Sequence, residues 1–139
     1  MRIAVIVVLL LPAVAAQQSG IKPIASIRQL HDAMITPASD AIFNVGVAAP
    51  RNDQEWLAVQ NAAVTLTESG NLLMLGSRAR DRGRWMRMSR SMVDAGALAL
   101  KAAEARNLNA LMDACDRIVL ACETCHEPYR DGGHKMPIK

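Results

Sequence analysis

LNALMDACDRIVLACETCHEPYR, residues 108–130, is the stretch on which the fold turns. Leu111, Cys115, Ile118, Cys122 and Cys125 recur at spacings of three and four, the signature of one face of a helix. Asp131-Gly132-Gly133 stops it. Positions i, i+3 and i+4 of a helix share a face. The last turns therefore gather two thiols and an imidazole, Cys122, Cys125 and His126, above an apolar stripe that needs helical partners.

Working back toward the N-terminus, three further segments offer such partners. Ile27, Leu30, Met34, Ala38, Ile42 and Val45 define a helix over about 24–45, with Pro37 inside it as a kink or a division. Gly46 and Pro50 close that segment. Asn52 followed three residues later by Glu55 resembles a capping box. Trp56, Val59, Ala63, Leu66 and Leu73 then mark a second helix ending near Gly76. A third starts near Gly83 and carries Trp85, Met88, Met92, Ala95, Ala99 and Ala102. Gly96 lies inside it at a cost of about 1 kcal/mol relative to alanine. The expectation is an all-α, antiparallel up-down-up-down four-helix bundle. In that topology the start of helix one, the turn between helices two and three and the end of helix four share one pole.

Composition agrees. The 139 residues suit one domain, and they include only one Phe, one Tyr and two Trp. Such a chain lacks the aromatic residues that strands favour. Residues 1–16 stand apart: Met1-Arg2 is basic, Ile3 to Ala16 is nearly unbroken apolar sequence, and polarity begins at Gln17. This is the layout of a secretory signal peptide cleaved after Ala16, leaving 17–139 as the mature domain. At about 14 residues the run is short of the roughly 20 that a spanning helix needs, so no membrane span is expected in the mature form. The net charge of +3, one unit lower without Arg2, does not suggest nucleic-acid binding.

Three cysteines in an exported protein do not form a simple disulfide framework. Cys122-Glu123-Thr124-Cys125-His126 is instead the attachment pattern of c-type haem. The two thiols can bond the macrocycle's vinyl groups while His126 points at the iron as proximal ligand. A thioredoxin-like reading would want a βαβ setting, and no strands are visible. A zinc site on Cys122, Cys125 and His134 lacks a fourth ligand. Cys115, about 10 Å along the helix from Cys122, is too far away for a disulfide and reads as buried apolar.

A motif at the C-terminal end of a four-helix chain, continued as Cys122-x-x-Cys125-His126-x-x-Tyr129-Arg130, resembles the cytochrome c-prime family (class II c-type cytochromes) and its low-spin relatives. The resemblance covers roughly 24–130 and implies a left-handed bundle, often a homodimer, with one covalent haem c near one pole. It also implies a basic residue near the haem face after the motif, which Arg130 matches; Pro128 departs from the pattern.

The second axial position decides the function. In the low-spin relatives a methionine early in the first helix fills it, and those with a proline in this helix tend to place it six residues earlier. Here that position is His31, with Met34 three residues on and near the same face. His31 is therefore the expected distal iron ligand, since imidazole binds ferric iron better than a thioether, with Met34 or no protein ligand as the alternatives; a second histidine would lower the potential relative to His/Met ligation.

Arg78, Arg80, Arg82, Arg84, Arg87 and Arg90 crowd the turn between helices two and three. They read as a solvated turn, or as partners for haem propionates and an acidic redox protein. Trp85 falls at the same pole, against the haem, and Trp56 at the other. The expectation is a periplasmic monohaem carrier of single electrons, six-coordinate and low-spin, not an enzyme, serving redox partner proteins. The alternatives are a five-coordinate, gas-binding (nitric oxide) protein with His126 as sole axial ligand, and a haem subunit of a larger dehydrogenase.

Overall fold

The computed structural model describes residues 22–131, with the side chain of Asp131 excepted. The proposed signal peptide and His134 lie outside the described residues. The chain is all-α, with four helices packed in sequence order. The first is composite: α1 (Ile27–Leu30), a π-helical segment (His31–Ile35) and α2 (Thr36–Phe43). The others are α3 (Asp53–Leu73), α4 (Arg84–Glu104) and α5 (Leu108–His126), the last continued by a π-helical turn (Glu127–Asp131). None of the described helices is long and apolar enough to cross a membrane.

Local chemistry sets the boundaries. The first helix starts at Ile27 rather than near Ile24, because Ser26 and Gln29 form a capping box there. The Gln29 amide donates to Ser26 Oγ (3.2 Å) and the Ser26 amide to Gln29 Oε1 (2.9 Å). The Asn52–Glu55 signal holds in part: Glu55 N–H donates to Asn52 Oδ1 at 2.9 Å, while the Glu55 carboxylate accepts from the Arg51 amide (2.7 Å) rather than from that of Asn52, and α3 begins at Asp53. The core is a single cluster in which Ile42, Leu66, Leu111 and Ile118 are fully enclosed. Each such side chain contributes about 1.5–3 kcal/mol by leaving water. Trp56 and Cys115 belong to this core, and the Cys115 thiol faces the Ile42 carbonyl at 3.9 Å.

Both prolines of the helical segments act where the sequence marks them. Pro37 lacks an N–H, and in an α-helix its ring would crowd the Ala33 carbonyl. The chain relieves this by widening the preceding turn, so that Thr36 N–H reaches back to the His31 carbonyl, and Pro37 falls in the first turn of α2. His31 therefore opens a widened turn. Pro128 likewise sits in a π-helical turn, directly after His126 and Glu127.

Gly96 has a packing reason. A Cβ there would lie 2.4 Å from Thr67 Oγ1 and 3.1 Å from the Thr67 backbone nitrogen. Gly70 meets Val93 and the Ser89 carbonyl just as closely. These contacts bring α3 and α4 together in antiparallel register. Gly96→Ala should therefore destabilise the fold by about 1–3 kcal/mol despite its better helix propensity. Denaturant unfolding measures this, and a stabilised variant would contradict it.

The turn before α4 is also fixed. Gly76 adopts φ +54°, and a Cβ there would lie 2.9 Å from Pro23 Cγ. Arg78, expected as part of a solvated turn, is buried (8% exposed). Its Nε donates to the Ala25 carbonyl (2.9 Å) and its Nη1 to the Leu72 carbonyl (3.3 Å). This side chain fastens the α3–α4 turn to the entry of the first helix.

Candidate functional site

Three chain segments meet where the last turn of α5 ends. His31 comes from the π-helical turn, Cys122, Cys125 and His126 from α5, and Trp85 from the first turn of α4. The His31 and His126 rings lie close together, tilted, with centroids 5.7 Å apart and planes 46° apart. Metal–imidazole bonds run about 2.0–2.1 Å, so two rings on opposite sides of one ion have centroids roughly 6.3 Å apart. The observed separation lies within about 1 Å of that.

Beside the rings opens a cavity of about 480 Å³, lined by His31, Cys125, His126, Trp85, Tyr129 and the arginines Arg28, Arg80 and Arg130, among others. That volume is in the range of small-molecule and cofactor sites. Sharing His31, Trp85, Cys125 and His126 with it is a narrow chamber of about 30 Å³, which Cys122, Ser89 and apolar neighbours complete. Met34 borders neither space and packs against the core. Among the described histidines and methionines, His31 is the one brought ring-to-ring with His126.

The electrostatics favour neutral ligands. Burial, then the neighbouring His126, hold the His31 imidazole below its ordinary value, with Arg130 adding to the effect and Asp32 opposing it. A neutral imidazole is the metal-binding form. Burial pushes the thiols of Cys122 and Cys125 upward, and for Cys122 the nearby Cys125 and Glu123 push further. Redox-active dithiols depend on lowered thiol values; burial moves this pair the other way. Among the described residues no group of three or more His, Cys, Asp or Glu is arranged to hold a metal ion by itself. A structural zinc site needs four such ligands. Two imidazoles at this spacing, in contrast, suit an iron whose equatorial ligands come from a macrocycle, and the residues fit that group: paired imidazoles, two thiols on the same helix face and an adjoining cavity of suitable size.

The wall of the cavity is held by contacts across the chain. Trp85 is buried, and its Nε1–H donates to the Leu73 carbonyl at 2.8 Å. Tyr129 meets Trp85 edge-on, centroids 4.9 Å apart. The Tyr129 hydroxyl donates to Asp81 Oδ2, while Asp81 Oδ1 accepts from the Gly83 and Trp85 amides (2.8 and 3.1 Å) and so caps α4. One carboxylate thus ties the end of α5 to the start of α4. Sequence reading did not single out Asp81; its place two residues before Gly83 at a helix start was the available signal.

The Tyr129 hydroxyl holds Asp81 below its ordinary carboxylate value, and the same bond raises Tyr129. A carboxylate depressed in the folded state contributes stability that is present above its unfolded value and lost as pH falls through the folded one. Tyr129→Phe should therefore lose less of its melting temperature than the parent between neutral pH and about pH 3. An identical acid profile in the two proteins would contradict this.

No protein-family model, no curated protein and no solved structure matches this chain, so the chemistry of the site rests on its own residues.

Proposed function

We propose that the chain is an exported c-type cytochrome: an antiparallel, up-down-up-down four-helix bundle with one covalent haem c at the pole where His31, Trp85 and His126 meet. The observation that carries this reading is the 5.7 Å approach of the His31 ring to that of His126, directly at the end of Cys122-x-x-Cys125-His126. Cys122 and Cys125 would hold the group by thioether bonds, His126 would be the proximal iron ligand and His31 the distal one. Trp85 and Tyr129 would wall the cavity. Bound there, the haem would supply a reversible one-electron couple, with a potential lower than His/Met ligation gives.

The function is then to pass single electrons between redox partner proteins in the periplasm, without catalysis by this chain alone. The basic, then apolar, start of the sequence supports export. The sequence resemblance to low-spin relatives of cytochrome c-prime agrees with this assignment. The nearness of His31 favours it over a gas-binding protein whose sixth position is open. The test is expression with the leader in a host that matures c-type cytochromes. The reading requires haem that stays with the polypeptide after denaturation; a chain that matures without it sinks the reading.

Arg28, Arg80 and Arg130 stand around the cavity mouth, with Arg82, Arg84 and Arg87 close by in sequence. Guanidinium groups there suit haem propionates and an acidic partner surface. Electron exchange with an acidic redox protein should slow several-fold as ionic strength rises from about 10 to 150 mM, because the screening length falls from about 30 to 8 Å. A rate independent of salt would argue against docking at this pole.

A further inference from the structure

Ser89 lies on α4 one turn beyond Trp85 and is 1% exposed. Among the described residues its Oγ is the one buried side-chain oxygen or nitrogen with no hydrogen-bond partner. A buried hydroxyl left unpaired costs about 1–3 kcal/mol. Helical serines usually avoid this by bonding a carbonyl one turn back. Ser39, Ser69 and Ser91 do so, at 2.9, 2.6 and 3.1 Å. Ser89 does not. It borders instead the narrow chamber of about 30 Å³ shared by His31, His126, Cys122 and Cys125, whose remaining lining is largely apolar. A space of that size holds one water molecule when polar groups are there to receive it.

Two demands coincide in this chamber. A histidine that binds a metal through one ring nitrogen carries a proton on the other, and that N–H almost always has an acceptor, which fixes the ring's orientation and raises its donor strength. Apart from the imidazoles and thiols themselves, the chamber's side chains offer one oxygen, that of Ser89, since the Trp85 indole N–H is a donor already committed to the Leu73 carbonyl. We infer that Ser89 is a positioning residue for the iron site: its oxygen accepts, across one water, the ring N–H of an iron-ligating imidazole. The inference rests on the haem reading above and adds a tuning residue that the Cys122–His126 motif does not contain.

Acceptance of that proton makes the imidazole a better donor and favours ferric iron. Its removal should shift the equilibrium toward ferrous iron. The experiment compares haem-loaded parent, Ser89→Ala and, as a control, Ser91→Ala, whose hydroxyl is exposed and bonded to the Arg87 carbonyl. Reduction potential and ferric electron paramagnetic resonance are read on each. Ser89→Ala removes one buried atom and introduces the best helix former, so it should fold. Its ferric/ferrous equilibrium should move up to roughly tenfold, or about 59 mV for one electron, with changed low-spin g-values, while Ser91→Ala matches the parent. If Ser89→Ala also matches a low-spin parent in both readouts, the role of Ser89 is overturned and the haem reading stands. If the parent has no covalent haem, or its haem is high-spin, both the two-imidazole site and the Ser89 role fall together.

Discussion

Alanine at both Cys122 and Cys125 is expected to abolish covalent haem, leaving a helical polypeptide that releases all pigment on denaturation. The thiols sit three residues apart on one face of α5, beside the imidazole that would hold the iron, and each is half-buried. Two thioether bonds would retain the macrocycle through denaturation, whereas axial ligation and burial are lost when the chain unfolds. Each single variant should retain one thioether and lower yields. Covalent retention is scored by haem stain on a denaturing gel and by intact mass. A double variant that still retains haem after denaturation would refute the assignment of these residues. Loss of the helical fold in the haem-free double variant is not expected, because the enclosed side chains Ile42, Leu66, Leu111 and Ile118 lie in the core cluster and line neither the cavity nor its inner chamber.

The second large effect is at His31. His31→Ala should convert a six-coordinate, low-spin haem to a high-spin one with an open position that binds carbon monoxide when reduced. The physical ground is the 5.7 Å separation of the two rings and the position of His31 at the head of a widened helical turn. Met34 packs against the core and borders neither cavity, so it should not take over without refolding the turn. Met34→Leu is the matching control and should leave the spectrum unchanged. A low-spin His31→Ala protein, or a high-spin Met34→Leu protein, would transfer the assignment to Met34. The reduction potential of His31→Ala should also rise, since a donor that favours ferric iron has been lost.

Much of the helical architecture was legible because it is written locally. Apolar spacing of three and four marks each helix, and Asn52 and Glu55 announce the start of α3 within four residues. The start of the first helix is equally legible in Ser26 and Gln29, although the apolar Ile24 extends the periodic pattern outward. The candidate site divides along the same line. Cys122, Cys125 and His126 belong to one helical turn, so their shared face follows from period alone. His31 came from its spacing to Pro37 within a resemblance, and the structure adds the π-helical turn that Pro37 demands.

What stayed hidden depends on contacts between distant segments. Ser89 looks like any small residue on an amphipathic helix until the opposite helices close around it. Asp81 and Tyr129 are 48 residues apart, and nothing in either neighbourhood announces their bond. Arg78 is the instructive case. Five similar arginines follow it, and charge alone assigns all six to solvent. Only the fold shows that the Ala25 and Leu72 carbonyls converge on one of them.

The most direct test of the central claim is the absorption spectrum of the matured protein, recorded oxidised, reduced, and reduced under carbon monoxide. A covalent haem between His126 and His31 predicts low-spin spectra in both oxidation states and no change on adding the gas. A high-spin spectrum that responds readily to carbon monoxide would contradict ligation by His31, and the absence of covalent haem would contradict the account as a whole.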